Sequence, residues 1–329
     1  MSIGSSAIPG GVMNRLVKNN MNPIKALRTN ALLSKDEWKD IDTRVYRSAA
    51  ARLVIYTDLA DAGFIHKLPN IGITRSEWIK DSGTTDATIA MSAQAIDNND
   101  LVDLEKDGVP VPTIFKDFQL DIRTIAASRG YDTGSATIDN TNIDAASKRV
   151  AEGIESLIFN GYKGKFVSQP IYGLTNHPNV NNNGGVPYTL NTLENIVECV
   201  QKMIEALVLK KQYGPYHMYV SPTISSLLDR FFLGTYNQMM TVREQLQKIE
   251  SLKKISAADM LAANTIVLVQ MSADTIDWAA ALDITTVEWD ENPGGVNYRV
   301  WAIGAPRIKA DVDGNLGVAA FKVDGTLVS

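Results

Sequence analysis

NIDAASKRVAEGIESLIFNG, Asn142 to Gly161, is the stretch whose reading decides the fold class. Ile143, Ala146, Val150, Ile154, Leu157 and Ile158 recur three and four residues apart, so they share one face of a helix. Thr141 and Asp144 stand at capping-box spacing just upstream, and Asn160-Gly161 is a stop signal, because glycine takes the left-handed turn that ends helices. The spacing predicts one long helix over Asn142–Asn160. A charged, extended segment precedes it, and the second half that follows reads as a compact α/β or α+β unit.

Upstream, residues 1–33 carry Arg15, Lys18, Lys25 and Arg28 but no acid, with Gly10, Gly11 and several Asn breaking any apolar period. This is an arm that needs a neighbouring subunit or an anion to become ordered, or else a frayed terminus. Ser34 to Glu37 has the form of a capping box, and Trp38, Ile41, Val45 and Ala49 then recur at helical spacing. Acids lead that helix and Arg44, Arg47 and Arg52 close it, in keeping with its dipole. From about Ile71 to Ile125, charges are scattered among short β-prone stretches. Asp107-Gly108 is a turn signal, Pro110 and Pro112 suit an exposed edge, and Phe118, Leu120 and Ile122 alternate with polar residues. A long solvated hairpin is expected, the alternative being a surface insertion.

Downstream, Tyr162 to Tyr188 is rich in Gly and Asn and reads as an exposed loop. Asn191 to Lys211 forms a second amphipathic helix, His217 to Val220 a buried strand, and Pro222 to Phe232 a helix with Ile224, Leu227, Leu228 and Phe231 on one side. Strands are expected at Ile266–Met271, Thr285–Trp289, Tyr298–Ile303 and Gly317–Val323, separated in pairs by Asn292-Pro293-Gly294-Gly295 and by Asp313-Gly314.

The charge of -5 over 329 residues argues against a dedicated nucleic-acid binder, and the four arm charges give weak, salt-sensitive contact with DNA at most. The single Cys199 forms no intrachain disulfide and lies on the flank of an apolar helical stripe, where a packing role is expected. No segment approaches the ~20 apolar residues that cross a bilayer, and the N-terminus shows no signal-peptide stretch, so a soluble chain made inside a cell is expected.

Catalytic and cofactor motifs are missing: no phosphate-cradling loop, dinucleotide fingerprint, zinc-protease helix, paired CxxC or nucleophile elbow. His66, His177 and His217 are too dispersed for a ligand set, and Ser251 with Lys254 matches an acyl-enzyme spacing without its companion motifs. No catalytic residue, cofactor or metal is assigned. A competing class is a soluble enzyme whose polar middle segment is a lid.

Three stretches carry a family resemblance. Ser34 to Leu59 (SKDEWKDIDTRVYRSAAARLVIYTDL) looks like the N-terminal helix region of encapsulins; Asn142 to Gly161 resembles a long spine helix; Gly214 to Phe232 (GPYHMYVSPTISSLLDRF) resembles a strand and helix that begin with Gly-Pro-Tyr and Ser-Pro. Together they resemble the Hong Kong 97-type capsid fold of tailed-phage major capsid proteins and encapsulins. That resemblance implies an α+β subunit with an N-arm and first helix (1–50), a link (51–70), an extended β-hairpin loop (71–125), a peripheral domain with the spine helix (126–189), an axial domain (190–290) and return strands (291–329).

It implies a non-enzymatic shell built of pentamers and hexamers around a double-stranded DNA genome, located in a virion capsid and assembled in a bacterial cytoplasm. Scaffold, portal and decoration proteins stand as open partners, packaged DNA as a weak non-specific one. The alternative is an encapsulin shell around cargo protein. Subunit-interface candidates are Arg75, Glu77, Trp78, Lys80, Glu105, Lys106 and Lys116. Arg15, Lys18, Lys25 and Arg28 are candidates for neighbour or DNA contact, and Trp38, Ile41 and Val45 for the interior helix.

Overall fold

The computed structural model describes residues 45, 47–50, 52–81, 104–121, 137–165, 169–189, 194–233, 239–292 and 295–324. The capping box at Ser34, the four arm cations, Trp38, Ile41 and Ile122 lie outside these residues. In chain order the elements are α1 (Ile55–Asp61), β1 (Ile65–Lys67), β2 (Arg75–Asp81), β3 (Leu104–Pro110), β4 (Thr113–Asp121), α2 (Thr137–Asn160), β5 (Tyr188–Thr189), α3 (Glu194–Leu209) and β6 (Tyr216–Val220). After these come α4 (Pro222–Leu228), β7 (Phe231–Leu233), β8 (Met239–Thr241), α5 (Val242–Gln247), β9 (Leu252–Ala257), β10 (Thr265–Gln270), β11 (Ile276–Asn292), β12 (Gly295–Ile308) and β13 (Val318–Asp324). The chain divides into two compact units. The larger comprises residues 53–112, 152–281 and 303–329, and the smaller 1–52, 113–151 and 282–302.

The larger unit is organised by a five-stranded sheet in the order β5-β13-β10-β6-β9. Its central strand, β10 (TIVLVQ), is buried at every residue but the last, as a strand covered on both faces must be. On one face the apolar stripe of α3 (Ile196, Val200, Met203, Leu207) packs on Tyr216, Met218 and Val220 of β6, with Ile224, Leu228, Val242 and Leu246 from α4 and α5. On the other face Tyr219 meets Phe159 of α2 edge to face at 5.5 Å. Each such side chain taken from water contributes about 1.5–3 kcal/mol, so the helix stripes hold this layer together. In the same unit β1 runs parallel to the start of β11, Ile65 opposite Trp278.

In the smaller unit, Val45 and Ala49 are buried, as are Ile143, Ala146 and Val150 of α2. Ser48 Oγ donates to Asp144 at 2.6 Å. Phe118 of β4 stacks on Tyr298 of β12 at 5.3 Å, and Arg299 grips Asp117 with both arms of its guanidinium at 2.6 and 2.7 Å.

The long helix ends where expected: Asn160 is its last residue and Gly161 turns at φ +65°. It begins five residues earlier than the capping-box reading predicts, at Thr137, so Thr141 and Asp144 lie inside it. The Asp144 carboxylate is taken up by Ser48. Asp107-Gly108 is not a turn. Both residues lie in mid-strand, opposite Trp78 and Glu77, because Asp107 pairs with Lys80 across the ladder and Gly108 leaves room for the Arg75 side chain, whose Nε would sit 2.8 Å from a Cβ there. The helix expected through Phe232 stops at Leu228, and Phe231 starts β7 with 67% of its surface exposed. Asp313-Gly314 does turn, with Gly314 at φ +76°, but the strands beside it, β12 and β13, join different sheets.

Candidate assembly surface

Six of the seven interface candidates fall on one two-stranded ribbon. β2 and β3 pair antiparallel from Arg75 opposite Pro110 to Asp81 opposite Leu104. Among the described residues, the ribbon pairs with no other strand. Period-two alternation gives it two chemically distinct faces.

One face is tied down. Ser76 and Val109 are buried and opposite each other, followed by half-buried Trp78, Asp107 and Lys80. Lys80 Nζ lies 2.5 Å from Asp107 Oδ2. Burial would raise the Asp107 carboxyl, but the hydrogen bonds from Lys80 and the Gly108 N–H hold it below the usual carboxylate range. Nearby His177 is pushed down to about 4, by burial first and then by the Lys80 charge. Beneath Ser76 lies a buried ion pair: Arg307 Nε and Nη2 each reach Asp277 at 2.5 Å, while its Nη1 lies 3.4 Å from Ser76 Oγ. Lys309 adds a second cation 2.8 Å from Asp277. At the end of the ladder, Arg75 Nη1 donates to Gln169 at 3.1 Å.

The other face is open. Arg75 and Glu77 form a loose pair at 3.5 Å, Lys106 stands opposite Ile79, and Ile79 and Leu104 are 61% and 68% exposed. Glu105 belongs to the first face, opposite Lys80, and is exposed at its far end. A ribbon with free edges and two bare aliphatic side chains is a surface that other chains can pair with or cover. Lys116 stands apart on β4, next to Asp117, whose carboxyl the Arg299 hydrogen bonds hold low. Val45, grouped in sequence with Trp38 and Ile41, is 2% exposed and buried within its own chain.

Sequence reasoning missed Ile79 and Leu104; alternation with charged neighbours was the only signal for them. It also missed Arg307 and Asp277, which carry no motif and meet only in the folded chain. A third polar cluster lies under the main sheet. Asp58 of α1, 4% exposed, receives Tyr219 Oη at 2.8 Å and Lys254 Nζ at 2.5 Å, with His217 Nδ1 at 3.4 Å. Burial pushes this carboxyl up, yet His217, Lys254 and Tyr219 together hold it below its ordinary value. Lys254 is thereby committed to an ion pair and is no partner for Ser251. Cys199 is fully buried and its thiol is pushed up to about 12 by burial. Among the described residues no group of three His, Cys, Asp or Glu side chains forms a metal site, and no helix is long and apolar enough to cross a membrane.

Solved structures share this architecture. A virus-like particle subunit from Pyrococcus furiosus superposes with a TM-score of 0.57 at 13% identity, over 87% of this chain and 99% of that one. The capsid of Myoviridae phage XM1 gives 0.59 at 10% identity, over 80% and 91%. The capsid of a native GTA particle gives 0.57 at 10% identity, over 79% and 88%. The fold is Hong Kong 97-type, α+β with a ribbon and a spine helix. No curated protein matches the chain in sequence. Residues 26–320 match a single family profile, and the chain belongs to that family, the family of unknown function DUF6260.

Proposed function

We propose that the chain is a structural shell subunit that assembles with copies of itself into an icosahedral container, a phage capsid around double-stranded DNA. The observation that carries the reading is the fold, which follows the subunits of three particles over about four-fifths or more of this chain. The ribbon supports it from physical chemistry. Among the described residues its strands pair only with each other, and it exposes Ile79 and Leu104, apolar area that would be worth about 25 cal/mol per Å² if a neighbouring subunit covered it.

In this reading residues 71–125 are the loop that overlaps a neighbour, with Arg75, Glu77, Trp78, Lys80, Glu105 and Lys106 at or beside the contact. Residues 126–189 with the return strands 291–329 form a peripheral domain carrying α2 as spine, 190–290 an axial domain that meets its copies around symmetry axes, and 1–50 an arm and first helix joined to the peripheral domain through 51–70. Lys116 on β4 would face a second contact. Arg15, Lys18, Lys25 and Arg28 would clamp a neighbour or touch packaged DNA weakly. The location would be a virion capsid put together in a bacterial cytoplasm, with scaffold, portal or decoration proteins as further partners.

The test is expression of the chain alone followed by negative-stain electron microscopy, with the ultraviolet absorbance of nucleic acid recorded against that of protein on the same fraction. Uniform closed shells are expected. Shells filled with a co-purifying protein would move the reading to an encapsulin. A folded chain that stays monomeric under every condition would overturn it and restore the lidded enzyme.

A further inference from the structure

The chain contains Asn-Gly twice, at Asn160-Gly161 and at Asn183-Gly184, and the fold treats the two pairs in opposite ways. In this pair the side-chain amide carbon is open to attack by the next backbone nitrogen, because glycine brings no Cβ to block the approach and lets the chain turn into it. Whether the attack happens depends on what holds the amide and the nitrogen.

At the end of α2 both are held. Asn160 Nδ2 donates to the Met260 carbonyl at 2.8 Å, and the Asn160 carbonyl accepts from Asn176 Nδ2 at 2.6 Å. The Gly161 nitrogen, which would have to attack, donates to the Leu157 carbonyl at 3.0 Å, one residue before the paired bonds between Tyr162 and Ile171. Turning it onto the Asn160 side chain would undo the end of the helix.

At Asn183 little is held. Residues 182–187 are all exposed, and a Cβ at Gly184 or Gly185 would meet nothing within 4 Å. One short turn covers Asn183–Gly185, closed by the Gly185 and Val186 N–H groups, which donate to the Asn182 and Asn183 carbonyls at 2.9 and 3.3 Å. The Gly184 nitrogen is not one of these two donors. The Asn183 amide is fastened by an exposed hydrogen bond, Nδ2 to the Val186 carbonyl at 3.1 Å. Asn181, two residues earlier, is pinned by Nδ2 bonds to the Leu316 and Val318 carbonyls at 3.3 and 3.1 Å, and the residue after it carries a side chain.

We propose that Asn183 is a site of spontaneous covalent modification, deamidating through a cyclic imide, and that the fold protects Asn160 from the same reaction. The Gly184 nitrogen bonds to Asn183 Cγ, and its proton passes through solvent to Nδ2, which leaves as ammonia when the Cγ–Nδ2 bond breaks. Water then opens the ring at either carbonyl and leaves aspartate or isoaspartate at position 183. Water is the only co-reactant, and nothing is oxidised or reduced. The product sets a carboxylate against the Val186 carbonyl in place of the Nδ2 donor, which loosens the turn leading into β5, the edge strand of the five-stranded sheet. The reaction needs one chain only, so it is independent of the shell reading.

The test is timed incubation of the full-length protein in mildly alkaline buffer, folded and in urea, followed by tryptic digestion and mass spectrometry. Peptide 150–163 carries Asn160 and peptide 166–202 carries Asn183. In the folded protein, conversion at 183 should run at least about tenfold faster than at 160, because cyclisation at 160 must wait for the helix end to open. In urea the two rates should converge, and Gly184→Ala in urea should slow conversion at 183. An Asn183 that stays an amide in the folded protein while converting in urea, or equal rates at 160 and 183 in the folded protein, overturns the proposal. Aspartate at 183 without isoaspartate, or no slowing by Gly184→Ala, overturns the cyclic route.

Discussion

Replacing Gly173 by alanine should cost this protein far more than its small side chain suggests. Gly173 lies where the loop after α2 returns across the last turn of that helix. A Cβ there would stand 2.3 Å from Gly161 N, 2.6 Å from Phe159 O and 2.7 Å from Asn160 C. All three are backbone atoms, and none can swing aside. The crossing is fastened on both sides: Tyr162 and Ile171 exchange N–H to C=O bonds at 2.8 and 2.9 Å, and the Leu174 and Thr175 N–H groups cap the carbonyls of Ile158 and Phe159 at 2.9 Å each. Overpacking of this kind costs about 1–3 kcal/mol, and stretching two of the capping bonds adds about 1 kcal/mol each. The total of roughly 3–5 kcal/mol is a large fraction of the 5–15 kcal/mol that holds a typical domain folded.

Gly63 provides the control, since it turns at φ +78° with nothing within 4 Å of a Cβ, so Gly63→Ala should lose only the left-handed strain of about 1–2 kcal/mol. The assay is urea unfolding of both variants and wild type, on dissociated subunits at one concentration, followed by tryptophan fluorescence. If Gly173→Ala loses no more than Gly63→Ala, the crossing yields and the argument from its hydrogen bonds is wrong.

Breaking the ion pair under the ribbon with Arg307→Ala should destabilise, in a thermal or urea titration, by less than the ~3–5 kcal/mol of a fully orphaned buried charge, because Lys309 remains beside Asp277, and the added change Lys309→Ala should bring the loss into that range. The double change Ile79→Asp with Leu104→Asp should leave the melting of the isolated subunit within about 0.5 kcal/mol of wild type, since both side chains are exposed, while particle formation drops sharply by light scattering. Native Cys199 should resist a thiol reagent at pH 8 and react at once in denaturant, its thiol being buried and pushed up to about 12.

Much of the architecture was legible because it rests on local periodicity. The apolar stripes of α2 and α3, the stop at Asn160-Gly161 and the continuous apolar run of β10 each declare an element within a dozen residues, and the resemblance of three stretches to a known fold declares an α+β chain. The misreadings were places where a distant partner outweighed a local signal. Asp107-Gly108 has the composition of a turn, yet Lys80 and Arg75 on the opposite strand make it ladder. Phe231 continues a helical face in sequence and leaves it in the structure, where Phe231 pairs with Thr241 across a small hairpin.

The ribbon's charged residues could be named in advance, but not which face they take. One residue of register separates Ser76, buried over Arg307, from Glu77, open to solvent. Register is settled by pairing with residues about thirty positions away, and burial by the body on which the strand lies. Asp58 with Lys254, Arg307 with Asp277, and Glu155 against the start of α1 are likewise contacts across 196, 30 and 99 positions. By itself the sequence determined the long helices, the apolar strands of the second half and the absence of any catalytic motif, since those depend on neighbours along the chain. Only the tertiary structure decided which charges are neutralised, which carboxyls are buried and which apolar side chains are left bare, because dielectric and proximity exist only once the chain has folded.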